Sequence, residues 1–138
     1  MIPDLPADID TIRGFLAEDE AQALYQHALQ ASALGPVLEI GSYCGKSTIY
    51  LGLACRANNS TVFALDHHRG SEEHQLGEFF HDPALYDAGE GIMDSFREFR
   101  RNIRRAGLDE VVVPVVAGSE AAARHWQTPL AMVFIDGG

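Results

Sequence analysis

The chain has 138 residues, of which 46% are hydrophobic, enough for one domain with a real core. A formal charge of −10 at pH 7 argues against a nucleic-acid or anionic-membrane partner, since both demand clustered positive charge, and makes a small molecule the more natural partner. No apolar run approaches the roughly 20 residues of a membrane span, and MIPDLPADID lacks the basic and apolar regions of a signal peptide, so a cytoplasmic protein is expected.

Residues 17 to 33 read as a helix, with Ala21, Leu24, Tyr25 and Ala28 at i, i+3, i+4 and i+7, and Gly35-Pro36 stops it. VLEI follows as a first strand, then the loop GSYCG, then a helix from Ser47 to Ala57 whose Ile49, Leu51, Leu53 and Ala54 suit packing on a sheet. TVFALD, residues 61 to 66, is an apolar run closing on an acid, the pattern of a buried parallel strand.

No period holds from about 67 to 94, which reads as a long irregular insertion. It carries His67, His68, His74 and His81 beside Glu72, Glu73 and Asp82, but no pair has the spacing of a known ligand motif. A lid or substrate-specificity loop is therefore preferred to a metal site. In SFREFRRNIRRAG, Phe96, Phe99 and Ile103 form one helical stripe, while Arg97, Arg100, Arg101, Arg104 and Arg105 form another, which suits an anion-binding surface less well than a solvated face pairing with an acidic protein. VVVPVVAG, 111 to 118, is a third strand in which Pro114 removes one donor. A short helix around 120 to 126 and the strand in LAMVFIDGG complete the order. Cys44 and Cys55 match no metal or redox spacing and read as reduced thiols. Alternating helices and apolar strands predict an α/β fold, a doubly wound parallel sheet of about four strands covered on both faces.

EIGSYCGKST nearly spells a phosphate-binding P-loop, but Gly41 and Gly45 have three residues between them where that loop needs four. A dinucleotide fingerprint fails too, because Tyr43 stands where its second glycine leaves room for pyrophosphate. Glu39 repels phosphate and favours an ammonium or sulfonium group. In such a sheet the ligand lies at the carboxyl ends of the strands. Asp66 is placed there to accept hydrogen bonds from ribose hydroxyls.

EIGSYCGKS before a helix, the acid ending FALD, AGSE after the third strand and MVFIDGG at the fourth resemble, in that order, class I S-adenosylmethionine-dependent methyltransferases. The likeness spans about residues 35 to 138 and is nearest to the catechol O-methyltransferase type. It implies a Rossmann-like fold, S-adenosylmethionine as cofactor and a small-molecule acceptor methylated at oxygen. By this resemblance Glu39, Gly41, Ser42, Tyr43, Gly45 and Ser47 surround the methionine part, although Ser47 also suits a helix N-cap. Asp66 and His67 hold the ribose, and Gly118, Ser119 and Glu120 border the adenine. Asp136 falls where that family places an acidic residue near the sulfonium, a catalytic position, and in metal-dependent members the first ligand of a magnesium ion. Lys46 matches no role.

The family's sheet has more strands than the four read here. The resemblance therefore implies the cofactor-binding half of a longer methyltransferase, or alternatively a homo-dimer that pairs the fourth strand across two chains. A nucleotide or dinucleotide binder, or a module that binds the cofactor without turnover, remains as the competing function.

Overall fold

The computed structural model describes residues 2–70, 83–87 and 92–136. Helix α1 (Glu18–Ser32) buries Ala21, Leu24, Tyr25 and Ala28, the stripe its spacing predicts, and Ala33 closes it just before Gly35-Pro36. Strand β1 (Val37–Ile40) leads into the glycine loop and helix α2 (Lys46–Ala57), which is buried on almost every side from Ser47 to Cys55. Then come strand β2 (Val62–Leu65), the two-residue strands β3 (Tyr86–Asp87) and β4 (Ile92–Met93), and helix α3 (Phe96–Arg105). Strand β5 (Val112–Val115), the single-turn helix α4 (Ser119–Ala123) and strand β6 (Met132–Ile135) close the fold.

The main sheet is parallel throughout, in the order β5-β2-β1-β6, while β3 and β4 form a small antiparallel pair. The chain walks outward from β1 to β2 and β5, then returns to the other side of β1 as β6. That reversal creates a crevice above the carboxyl ends of β1 and β6, the topological switch point where open α/β sheets bind ligands. In β5, backbone bonds to β2 fall at Val111, Val115 and Ala117. Alternate residues face opposite edges, so the missing donor of Pro114 lies on the outer edge and breaks no bond.

One face of the sheet is thickly covered. Val37, Val62, Ala64 and Val112 pack with α1, α2, Phe99, Ile103 and Leu108 into one core. Gly52 lets α2 approach it, because a Cβ there would lie 2.9 Å from Leu108 Cδ1 and 3.3 Å from Val112 Cγ2. The apolar strands predict equal cover on the opposite face, and here the structure differs. Registration places Leu38, Phe63, Val113 and Val133 side by side on that face, with Ile40, Leu65, Val115 and Ile135 one step along. Helix α4 and Trp126 lie against it and bury Leu38 and Leu65, with Trp126 edge-on to Phe63 at 5.2 Å between ring centroids. Val133 and Ile135 stay 47% and 68% exposed. Strand length and hydrophobicity dictate an apolar face but not the element that covers it.

Two smaller readings also shift. Helix α2 begins at Lys46 rather than Ser47, and Ser47 does not cap it, since its hydroxyl is engaged elsewhere. The arginines of α3 face solvent: Arg101 pairs with Glu98 at 3.4 Å and Arg100 lies over the Phe96 ring at 5.9 Å. Both cysteines are buried, and burial pushes the Cys55 thiol up to about 12. No helix among the described residues is long and apolar enough to cross a membrane.

Candidate functional site at the strand ends

Four segments meet at the carboxyl edge of the sheet: the glycine loop after β1, Asp66 after β2, Gly118 and Ser119 after β5, and Asp136 after β6. The loop turns with φ of +94° at Gly41, +48° at Tyr43 and +93° at Gly45. Those angles are costly for side chains other than glycine. Gly45 has a second reason, since a Cβ there would meet Phe99 Cδ2 at 3.2 Å and Ile103 Cδ1 at 3.4 Å. Internal bonds hold the turn: the Gly41 N–H donates to Leu65 O at 2.8 Å, and the Gly45 N–H to Ser42 O at 2.8 Å. From α3, the buried Asn102 donates through Nδ2 to Cys44 O at 2.8 Å.

Glu39 lies beneath this loop. It is fully buried, and its two carboxylate oxygens accept hydroxyl bonds from Ser47 and Thr48 in the first turn of α2. Burial raises its pKa to about 7; the Ser47 and Thr48 bonds oppose that shift, and the charges of Asp136 and Asp66 add to it. Glu39 therefore does not offer the crevice an open carboxylate, as its position in the sequence leads one to expect. It ties β1 to α2 under the loop.

Asp66 is the hub of the upper layer. Its Oδ2 accepts the Tyr43 N–H at 2.7 Å and its Oδ1 accepts the His68 N–H at 2.8 Å. A carboxylate has about four lone-pair sites, so capacity remains for a ligand's hydroxyls. His67 turns to solvent, where its Nδ1 accepts the Arg69 N–H at 2.9 Å. His68, passed over in the sequence in favour of its neighbour, is the buried one of the pair.

At the far side of the crevice the side chains are open. Asp136 is exposed and anchored by its backbone N–H to Ile40 O at 2.8 Å; partial desolvation, then the charge of Glu20, raises its pKa. Ser119 and Glu120 are exposed at the start of α4, and Ser119 joins Leu38, Ile40, Leu65, Ala122 and Trp126 around an apolar depression of about 180 Å³. The structure thus bonds Ser47 to Glu39 beneath the glycine loop and, separately, Tyr43 to Asp66 above it, while His67, Ser119, Glu120 and Asp136 stand apart on the rim.

Thr48 and Asn102 went unnoticed in the sequence. A second hydroxyl beside Ser47, in the first turn of the helix that follows the strand glutamate, is the available signal for Thr48; Asn102 sits mid-helix and gives none. Ser42 Oγ is buried without a hydrogen-bond partner among the described residues, a polar atom that the fold itself leaves unserved. Magnesium finds less support. Among the described residues no group of three His, Cys, Asp or Glu side chains converges to hold a metal. His74, His81, Glu72, Glu73 and Asp82 lie outside the described residues.

A family model for a methyltransferase domain matches residues 38–138. The chain belongs to that methyltransferase family. Similar solved structures agree in fold: cofactor-bound Rv0187 from MTB aligns over 95% of this chain and 50% of its own, at 23% identity and TM-score 0.64. The O-methyltransferase from Bacillus cereus in complex with SAH aligns over 97% and 48%, at 21% identity and TM-score 0.60. TomG of Streptomyces achromogenes, an O-methyltransferase solved with SAM, aligns over 89% and 45%, at 16% identity and TM-score 0.60. The chain therefore spans about half the length of these methyltransferase structures.

Proposed function

We propose that this domain binds S-adenosylmethionine in the crevice over the glycine loop and serves a methyl transfer to a small-molecule oxygen. The observation that carries the reading is the Asp66 carboxylate. It holds the glycine loop through Tyr43 and stands at the end of β2 with lone pairs to spare, where ribose hydroxyls need an acceptor. Gly41 and Gly45 permit the left-handed turns that shape the loop, and Ser42 Oγ supplies a buried polar atom awaiting a partner. On the rim, Ser119 and the apolar depression beside it suit the adenine, and Asp136 suits the positive end of the methionine part. Glu39 acts from below, lending negative potential under the loop when ionised. A phosphate-bearing nucleotide fits worse, because the Asp66 carboxylate stands at the loop itself and Glu39 adds negative potential from beneath when ionised.

The cofactor supplies an activated methyl group. The residues present here bind and orient it and exclude water, and orientation of two reacting centres is worth on the order of 7–11 kcal/mol. The acceptor oxygen, the cytoplasmic setting and the lid role for the insertion belong to the same proposal, as does the reading of this chain as one half of a longer methyltransferase. The test follows backbone amide resonances of Gly41, Ser42 and Tyr43 while S-adenosylhomocysteine, ATP and NAD are added in turn. Shifts with the first alone support the reading; equal shifts with ATP or NAD would sink it.

A further inference from the structure

His68 sits two residues past the acid at the end of β2, with φ +62° and 2% exposure. Left-handed backbone at a large side chain is uncommon and persists where packing insists on it. Here the packing is visible. The imidazole lies 5.2 Å, centroid to centroid, from both Phe96 and Phe99. Its Nδ1 is 2.8 Å from Ser95 Oγ, and the His68 carbonyl accepts the Ser95 N–H at 2.9 Å. That same turn delivers the His68 N–H to Asp66 Oδ1, while Asp66 Oδ2 takes the Tyr43 N–H. The ring, the turn, the carboxylate and the glycine loop form one connected chain of contacts from α3 to the crevice.

Ser95 Oγ can donate or accept, so either neutral tautomer satisfies Nδ1, and in both Nε2 has no hydrogen-bond partner among the described residues. Protonation would place a charged N–H in that slot without an acceptor, which is costly. We propose that His68, clamped by Ser95, is a positioning residue for the Asp66 carboxylate and holds it in the ligand-binding orientation only as the neutral imidazole. The inference rests on the cofactor reading above and deepens it, since it makes affinity for the adenosyl ligand depend on a residue that does not touch it.

The charged groups facing His68 are Asp66 at the end of β2, Asp94 before α3 and His67 beside it. Burial lowers the imidazole's pKa below the ordinary histidine value; the two aspartates oppose that shift and His67 adds to it. The clamp is therefore intact at neutral pH and lost as pH falls through the lowered value.

Two linked measurements test the proposal on this chain. In the ligand-free protein, the Tyr43 amide shift is followed against pH together with the His68 imidazole resonances. It is expected to move with the His68 titration in the wild type and to lose that step in His68→Asn, a residue that tolerates the left-handed turn. Calorimetric titration with S-adenosylhomocysteine then compares the two proteins: wild-type affinity falls about tenfold per pH unit below the His68 pKa beyond any fall in the variant. A Tyr43 amide blind to the His68 titration overturns the proposal, and so do parallel affinity profiles in the two proteins. Absence of binding at every pH, with the Tyr43 response intact, overturns the cofactor reading and leaves the clamp on the loop demonstrated. If His68→Asn does not fold, the wild-type Tyr43 titration decides alone.

Discussion

The glycine loop and the rim formed by β5, α4 and β6 border the same crevice, yet they are built differently. Around the loop, Glu39, Ser47, Thr48, Asp66 and Tyr43 satisfy one another, and Asn102 and Phe99 brace the turn from α3. Along the rim, Ser119, Glu120 and Asp136 are exposed, and the sheet face below carries Val133 and Ile135 in the open. The loop side holds its shape through its own bonds, so a ligand there meets a preorganised surface. Among the described residues the rim is held by backbone bonds, Asp136 N–H to Ile40 O and Ala117 N–H to Asp66 O, rather than by its side chains. In binding terms the first side supplies orientation at low entropic cost, and the second supplies contact area.

The contrast can be broken hardest at Glu39. Its pKa in the folded protein is raised from 4.5 to about 7, so its contribution to stability is complete below 4.5 and is lost as pH rises through 7. Chemical denaturation at pH 5 and pH 8 should show a loss on the order of 3 kcal/mol from this group, and Glu39→Gln should flatten it. A wild-type curve as flat as the variant's would mean that the acid is not sealed under the loop. Gly52→Ala comes next: the new methyl meets Leu108 at 2.9 Å, and α2 supports the loop, so about 1–3 kcal/mol of stability should disappear in urea titration. Ile135→Ser on the open face should change stability by less than about 0.5 kcal/mol. A loss several times larger would show that this face is covered in solution and would erase the contrast.

Much of the loop side was legible in the chain itself. Alternating apolar runs and glycine punctuation located β1, α2, β2 and α3, and the acid at the end of TVFALD pointed to Asp66, because these signals are local. What stayed hidden depends on three-dimensional packing. Whether Glu39 faces the crevice or the helix depends on strand parity against α2, and the pairing of its oxygens with Ser47 and Thr48 appears only once the turn is built. His67 and His68 are chemically identical in sequence. The left-handed turn and the Phe96–Phe99 slot alone decide which ring is buried. Among the described residues the second face is covered in part, over Leu38 and Leu65 but not over Val133 and Ile135, because strands such as VFAL and MVFI report burial but not the element that provides it.

Calorimetric titration of wild type and Asp66→Ala with S-adenosylhomocysteine tests the central claim most directly. The variant deletes the acceptor that joins Tyr43 to His68 and removes the partner assigned to the ribose. Hydrogen bonds to charged groups are worth about 1.5–3 kcal/mol, so wild-type binding should weaken at least about tenfold in the variant. Equal affinities in the two proteins would contradict the placement of the ligand over the glycine loop.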